Sequence, residues 1–368
     1  MTYLWPIIAV ALSFLLSFGI RSLSLKKKIA LTEPRSRDLH SEPTPRLGGL
    51  AVVLSFLITI LLLAFLAPKN LSDFGFPFAI FGISIDKRLL GIILAIVFLS
   101  VIMLKDDLKG VKAYWKLVAQ IVAASILVAA GVGITYLNNP FGLVINLDTV
   151  KFSIKIGADV YHFVLWADLF LILWVVLLTN ATNFIDGLDG LASSLSFIAG
   201  LIIVFLSLIW HQNTTALLSL IFIGSILGFL VFNLPKALMF LGDTGSNFLG
   251  LMLAVLTVIS GGKLATVLLV FGLVIIDALY VVVKRIIRGK NPFTTADQTH
   301  LHHRFLKAGF SPIATLITIL LISLAFGAVG LFLSGKVKIL MIAVLALLSI
   351  VLFVLLDARR KRVKNKLT

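Results

Sequence analysis

The chain has 368 residues, 60% hydrophobic and 13% charged, against about a quarter charged in soluble globular domains, so the bilayer must solvate most side chains. Its net charge of +16 does not indicate a nucleic-acid partner, because the basic residues lie between long apolar runs, where lipid headgroups and membrane topology account for them. Cysteine is absent, which excludes disulfides, thiolate metal sites and a cysteine nucleophile.

The first apolar run, Leu4 to Ile20 in a span near 3–24, is followed by positive charge at Arg21 and Lys26 to Lys28. It has no basic segment before it and no small-residue cleavage site, so a retained helix is expected. Further runs lie near 48–66, 88–104, 113–133, 163–180, 191–210, 215–232, 247–260, 264–287, 313–333 and 338–356. Most are roughly 17–22 residues, enough to cross a hydrocarbon core about 30 Å thick. The expected fold is an all-α polytopic membrane protein of about eleven transmembrane helices. Residues 1–356 form one helical domain with cytoplasmic active-site loops, and 357–368 a basic cytoplasmic tail. With the N-terminus outside, three quarters of the 32 Lys and Arg residues fall on the inner side, which places the C-terminus in the cytoplasm.

In the outer loop 141–157, apolar residues alternate on both sides of Asp148-Thr149. That pattern predicts a small β-hairpin turning there. His162 and His211, at outer span ends, are expected to be inert.

Four polar clusters fall on the inner side. The first is Asp106-Asp107 after the third span. Two carboxylates about 4 Å apart repel by about 4 kcal/mol at an effective dielectric of 20, and Mg²⁺ answers such repulsion with its preference for oxygen ligands. The alternative is a solvated pair balanced by Lys105 and Lys109. The second is Asn180-Ala-Thr-Asn183-Phe-Ile-Asp186-Gly-Leu-Asp189-Gly190. On a helical turn Asn183, Asp186 and Asp189 would share one face; an Asx-rich cap before the next span is the plainer reading.

The third, Phe240-Leu-Gly242-Asp243-Thr-Gly245-Ser246-Asn247, reads as a phosphate- or metal-binding turn opening a helix. It lacks the ending of a P-loop, and Asp243 as a plain N-cap is the alternative. The fourth is His300-Leu-His302-His303-Arg304 with Lys307. If helical, His300, His303, Arg304 and Lys307 make one cationic face suited to phosphate. A zinc site or a solvated basic loop would also fit. Asp277, inside the ninth apolar run, would cost about 2.5–3.5 kcal/mol at the bilayer midplane, so it is expected to face the bundle or the inner surface.

Together with Pro43-Thr-Pro-Arg46-Leu-Gly48-Gly49 before the second span, these motifs resemble the polyprenyl-phosphate N-acetylhexosamine-1-phosphate transferase superfamily in residue type and order. The resemblance implies that an undecaprenyl phosphate oxygen attacks the β-phosphorus of a UDP-sugar, releasing UMP. It implies Mg²⁺, or Mn²⁺, on Asp243 and Asp107. Asp106, Asp107, Asp186, His300 and His303 would be catalytic. Arg46, Asn180, Asn183, Asp189, Asn233, Phe240, His302 and Arg304 would bind substrate, with Phe240 stacking on uracil. The muramoyl-pentapeptide branch carries three consecutive His; Leu301 here interrupts them and points to UDP-N-acetylglucosamine as donor. The location implied is the bacterial cytoplasmic membrane, with membrane lipid around the chain and a homodimer left open.

Other classes fit less well. A secondary transporter needs ionisable groups at mid-depth, and a CDP-alcohol phosphotransferase needs an Arg that Asp189-Gly-Leu-Ala-Ser-Ser194 lacks. A scaffold leaves four coincident polar clusters unexplained.

Overall fold

A computed structural model describes residues 4–33, 42–68, 71, 77–80, 83–137, 142–156, 159–261, 264–287, 289, 300–333 and 335–367. The apolar runs fold as α1 (Leu4–Lys27), α2 (Gly48–Leu66), α3 (Lys87–Lys109), α4 (Ala113–Ala129), α5 (Leu165–Ile185), α6 (Leu191–Ile209), α7 (Asn213–Asn233), α8 (Gly242–Ile259) and α9 (Leu264–Ile287). A short α10 (Leu301–Lys307) precedes α11 (Pro312–Phe332) and α12 (Gly335–Leu367).

Among the described residues, ten helices are long and apolar enough to cross a membrane. The helix α4 is apolar but has 17 residues. Its expected extent to 133 is shortened because Gly131 takes a positive φ of 80°, and the Val132 N–H closes back on Leu127 O at 3.0 Å. That left-handed closure satisfies the last carbonyls and stops the helix.

The helix α8 forms the core. Its most apolar stretch is 89% buried, against 22% for α1 and α12, so the terminal helices lie outermost. Leu15, Phe18, Leu66, Leu173, Leu321 and Phe332 are all exposed. Such outward apolar surface is what lipid tails solvate. Lipid gives no hydrophobic drive between helices, so polar groups help to join them. Ser13 Oγ on α1 donates to Ser225 O on α7 at 2.5 Å, and Trp174 Nε1 on α5 donates to Thr257 Oγ1 on α8 at 3.3 Å.

Short antiparallel pairs decorate the ends: β1 (Leu31–Thr32) with β2 (Thr44–Pro45), β3 (Pro77–Ile80) with β4 (Ile83–Asp86), β5 (Tyr136–Leu137) with β6 (Ile145–Asn146), and β7 (Lys151–Ile156) with β8 (Asp159–Val164). The expected hairpin turning at Asp148-Thr149 is therefore displaced. Residues 145–146 pair backwards with 136–137, whereas 151–156 pair in full register with 159–164.

The basic tail is not a separate segment, since α12 continues without a break through Leu367. At about 1.5 Å per residue a helix of this length outruns a hydrocarbon core about 30 Å thick. The four polar clusters lie where odd-numbered helices α3, α5, α7 and α9 end and where α4, α6 and α8 begin, so the chain brings them to one end of the bundle. Residues 291–299 of the fourth cluster, with Arg35, Arg37, Arg288 and Lys290 of the inner-side charge count, lie outside the described residues.

Candidate active site

The site is built on a backbone seam between the segment before α2 and the start of α8. The β1–β2 pair brings residues 44–45 beneath α1, and the Arg46 N–H donates to Ala30 O at 2.9 Å. The Phe240 N–H donates to Pro45 O at 2.8 Å, the Gly48 N–H to Phe240 O at 3.0 Å, and the Gly49 N–H to Leu241 O at 2.7 Å. A Cβ on Gly49 would lie 2.0 Å from Gly245 N, so the two helix starts touch backbone to backbone. Gly242 has φ of 73°, and a Cβ there would lie 2.3 Å from Arg46 O. Only glycine combines that left-handed conformation with such an approach.

The carboxylate pair splits into two roles. Asp107 Oδ1 accepts from the Asp243 N–H at 2.8 Å, and its Oδ2 accepts from the Thr244 N–H at 2.9 Å and Thr244 Oγ1 at 2.6 Å. Its side chain is fully enclosed. Asp107 thus caps α8 from α3, satisfying amides that a helix start otherwise leaves open. Asp243 sits in the first turn of α8 rather than at its cap, so the plain N-cap reading of Asp243 does not hold.

Asp106 faces an ion cluster instead. Lys116 Nζ lies 2.5 Å from Asp106 Oδ2 and also bonds Asp243 Oδ2, so one ammonium bridges both carboxylates. Arg46 Nη2 stands 3.9 Å from Asp243 Oδ1 and 4.0 Å from Asp107 Oδ1. Asp106 is paired with Lys116 rather than with the Lys105 and Lys109 of the alternative reading. Burial, then the negative charges of Asp243 and Asp107, push the Asp186 carboxyl well above the usual carboxylate range. Four carboxylates (Asp106, Asp107, Asp186 and Asp243) therefore meet two cations, a deficit that a divalent ion or protonation offsets.

Polar side chains extend the cluster along the helices. Gln120 Nε2 donates to Asn247 Oδ1 and Asn180 Nδ2 donates to Gln120 Oε1, both at 2.8 Å. Asn183 Nδ2 donates to Ser246 Oγ at 3.0 Å. The expected single face of Asn183, Asp186 and Asp189 is broken, because α5 ends at Ile185 and Gly190, with φ of 74°, opens α6. Asp189 turns to the 234–241 loop, where its Oδ2 accepts from the Ala237 N–H at 3.1 Å. Asn233 is buried, accepting from Ser193 Oγ at 2.8 Å and donating to Met239 O at 3.1 Å. These two residues shape the loop that ends in half-buried Phe240.

The fourth cluster does not form the expected cationic face. His300 precedes α10 in an extended conformation, its ring stacked on Phe184 at 5.0 Å. Asp277 Oδ2 on α9 lies 3.1 Å from His300 Nδ1 and accepts the Leu301 N–H at 3.0 Å. Asp277 therefore faces the bundle, as its cost in lipid requires. His302 is buried beside His303, its ring against Gly187, where a Cβ would meet Nε2 at 2.5 Å. Burial, then the charges of His303 and His300, hold the His302 imidazole well below its usual range. The ring packs behind the Asp186–Gly190 turn, and neither of its nitrogens has a hydrogen-bond partner among the described residues. Arg304 departs furthest from expectation. It is buried, 3.6 Å from Asp357 on α12, with its guanidinium 4.5 Å from the Tyr280 ring and 4.9 Å from the Phe353 ring. It anchors α10 to α9 and α12.

Sequence reasoning missed Lys116, Gln120 and Thr244. Lys116 and Gln120 meet Asp243 and Asn247, pairs whose residues are equally spaced on α4 and α8; their one-turn repeat is the signal that local patterns could not reveal. Among the described residues no three His, Cys, Asp or Glu side chains gather as a metal-ligating group. Magnesium needs fewer protein ligands because substrate phosphates complete its shell. The ammonium between Asp106 and Asp243 marks a position where a cation is favoured, so these residues fit that ion.

A family model described as glycosyl transferase family 4 matches residues 89–261, from the start of α3 to the end of α8. The chain is 30% identical over 303 residues to the probable undecaprenyl-phosphate N-acetylglucosaminyl 1-phosphate transferase of Bacillus subtilis, covering 81% of this chain and 75% of that one. It is 32% identical over 339 residues to the decaprenyl-phosphate N-acetylglucosaminephosphotransferase of Mycobacterium leprae, covering 84% and 79%. It is 28% identical over 340 residues to the phospho-N-acetylmuramoyl-pentapeptide-transferase of Staphylococcus saprophyticus, covering 90% and 99%. The matched segment carries Asp106, Lys116, Asn183 and Asp243 on the helices that build the cluster, and the chain belongs to the glycosyl transferase family 4 proteins, in the branch of the polyprenyl-phosphate N-acetylglucosaminyl 1-phosphate transferases.

Proposed function

We propose that the chain transfers N-acetylglucosamine-1-phosphate from UDP-N-acetylglucosamine to undecaprenyl phosphate at the cytoplasmic face of a bacterial cytoplasmic membrane. The observation that carries this reading is the bridged Asp106–Lys116–Asp243 cluster with Arg46, at the same bundle end as Asn183, Phe240 and His300. Phosphoryl transfer demands charge neutralisation and alignment more than covalent machinery, and that is what these residues offer.

A lipid phosphate oxygen bonds to the β-phosphorus as the β-phosphorus–oxygen bond to the α-phosphate breaks and UMP leaves. Arg46 and Lys116 bind phosphate oxygens, and Asn183, held by Ser246, contacts the sugar diphosphate. Asp106 and Asp243 would hold Mg²⁺ or Mn²⁺, which supplies further neutralisation of the diphosphate when bound. Asp107 holds the start of α8 in place rather than serving as a ligand. His300 and His303 lie on the diphosphate side, and Phe240 stacks on uracil.

Purified protein in detergent with undecaprenyl phosphate is expected to release UMP from UDP-N-acetylglucosamine and much less from UDP-N-acetylmuramoyl-pentapeptide. The reverse preference would place the chain with its muramoyl-pentapeptide relatives, and no UMP from either donor would refute the reading.

The orientation follows the charge split, with the N-terminus outside, α4 as the eleventh span and the site inside. Because the chain lacks cysteine, single cysteines report topology directly. Those at Ser41, Asn291 and Lys364 should be shielded from an impermeant thiol reagent in intact cells, and those at Asn70 and Asn139 should label. The opposite pattern contradicts a cytoplasmic site.

A further inference from the structure

We infer that Asp277, buried in the membrane helix α9, is the positioning residue that sets the proton and orientation of His300 during sugar-phosphate transfer. The inference rests on the transferase reading above and adds to it a residue outside the polar motifs.

Asp277 lies in an otherwise apolar part of α9 and is 2% exposed. A carboxylate at the centre of a membrane helix costs about 2.5–3.5 kcal/mol, so its retention there needs a reason. Its Oδ2 accepts the Leu301 N–H at 3.0 Å and lies 3.1 Å from His300 Nδ1. Its Oδ1 is buried without a hydrogen-bond partner among the described residues. A neutral Asn or Ser would cap Leu301 without bringing a charge into the helix or leaving an oxygen bare. The cap alone therefore does not account for an acid at this position.

The ring contact does account for it. An ionised carboxylate only accepts, so Nδ1 must carry the hydrogen. Nε2 then sits on the opposite edge of the ring, directed away from α9. Phe184, stacked at 5.0 Å and 25° to the imidazole, restrains the ring plane. Phe184 lies between Asn183 and Asp186, so the His300 ring is locked to the turn that faces the ion cluster. A carboxylate that fixes tautomer and stabilises an imidazolium is the orienting member of known acid–base constellations.

Asp277→Ala and Asp277→Asn, purified in detergent beside the wild type, test this. Each should lower kcat for UMP release by about 10- to 100-fold, the range for removing a partner that orients a functional histidine. KM for UDP-N-acetylglucosamine should stay within about threefold, since shared ground-state binding is untouched. With ¹⁵N-labelled histidine, the wild type should show His300, assigned through His300→Gln, with the proton on Nδ1. Asp277→Asn should shift that signal towards the other tautomer, because a carboxamide also donates. If the alanine variant is not monodisperse, the near-isosteric asparagine decides. Wild-type kcat in Asp277→Asn, an unchanged His300 signal, or an effect confined to KM overturns the inference. A wild type that shows the Nδ1–H signal but releases no UMP overturns the transferase reading, and with it the role assigned to Asp277, while the pairing itself stands.

Discussion

Asp243→Ala is expected to lower UMP release by at least about a thousand-fold, the upper range for deleting one preorganised electrostatic contact from a polar active site. Asp243 is where the cluster's charges meet: Lys116 bonds one oxygen and Arg46 approaches the other at 3.9 Å. Alanine removes a charge from a cation position shared with Asp106 and leaves Lys116 with one carboxylate. The fold should survive, because the Asp243 N–H that bonds Asp107 belongs to the backbone. Size-exclusion profile and melting temperature should stay near wild type while turnover disappears. EDTA should mimic the substitution, and Mg²⁺ or Mn²⁺ should reverse it. Turnover close to normal in the variant, or in chelator, would refute the metal proposal.

Gly49→Ala is expected to be as damaging by a different route. Its Cβ would lie 2.0 Å from Gly245 N and 2.3 Å from Gly245 Cα, and neither backbone atom can rotate aside. The starts of α2 and α8 must part, which carries Arg46 away from Asp243. Overpacking of this kind typically costs about 1–3 kcal/mol and sometimes more. A lowered melting temperature should accompany loss of activity, whereas Asp243→Ala loses activity alone. Gly19→Ala is the control, since nothing lies within 4 Å of a Cβ there. A Gly49→Ala enzyme with wild-type turnover would show that the seam does not set the site.

What the sequence revealed depended on how local each signal was. Long apolar runs announced the helices, since bilayer thickness fixes their length, and the charge split suggested which ends lie together. Asp106, Asp186, Asp243 and His300 were legible because each sits in a dense polar cluster beside an apolar run. Their roles were not. Adjacent Asp106 and Asp107 looked equivalent, but on a helix they point in different directions, one to Lys116 and one to the amides of α8. Lys116 did not stand out from the other inner-side charges because its partner Asp243 lies on another helix. Arg304 looked like part of a phosphate clamp because the cage of Tyr280, Phe353 and Asp357 is made by two distant helices. The displaced hairpin has a related cause: alternation marks strands but does not choose partners, and 151–156 pair with 159–164 rather than across Asp148-Thr149.

The measurement that bears most directly on the central claim follows the β-phosphorus. Purified protein is incubated with undecaprenyl phosphate and UDP-N-acetylglucosamine carrying ³²P in the β-phosphate. Transfer of N-acetylglucosamine-1-phosphate predicts that the label moves to the lipid, with unlabelled UMP released in equal amount. Label remaining in UDP while sugar reaches the lipid would mean transfer of the sugar alone, and would contradict the account.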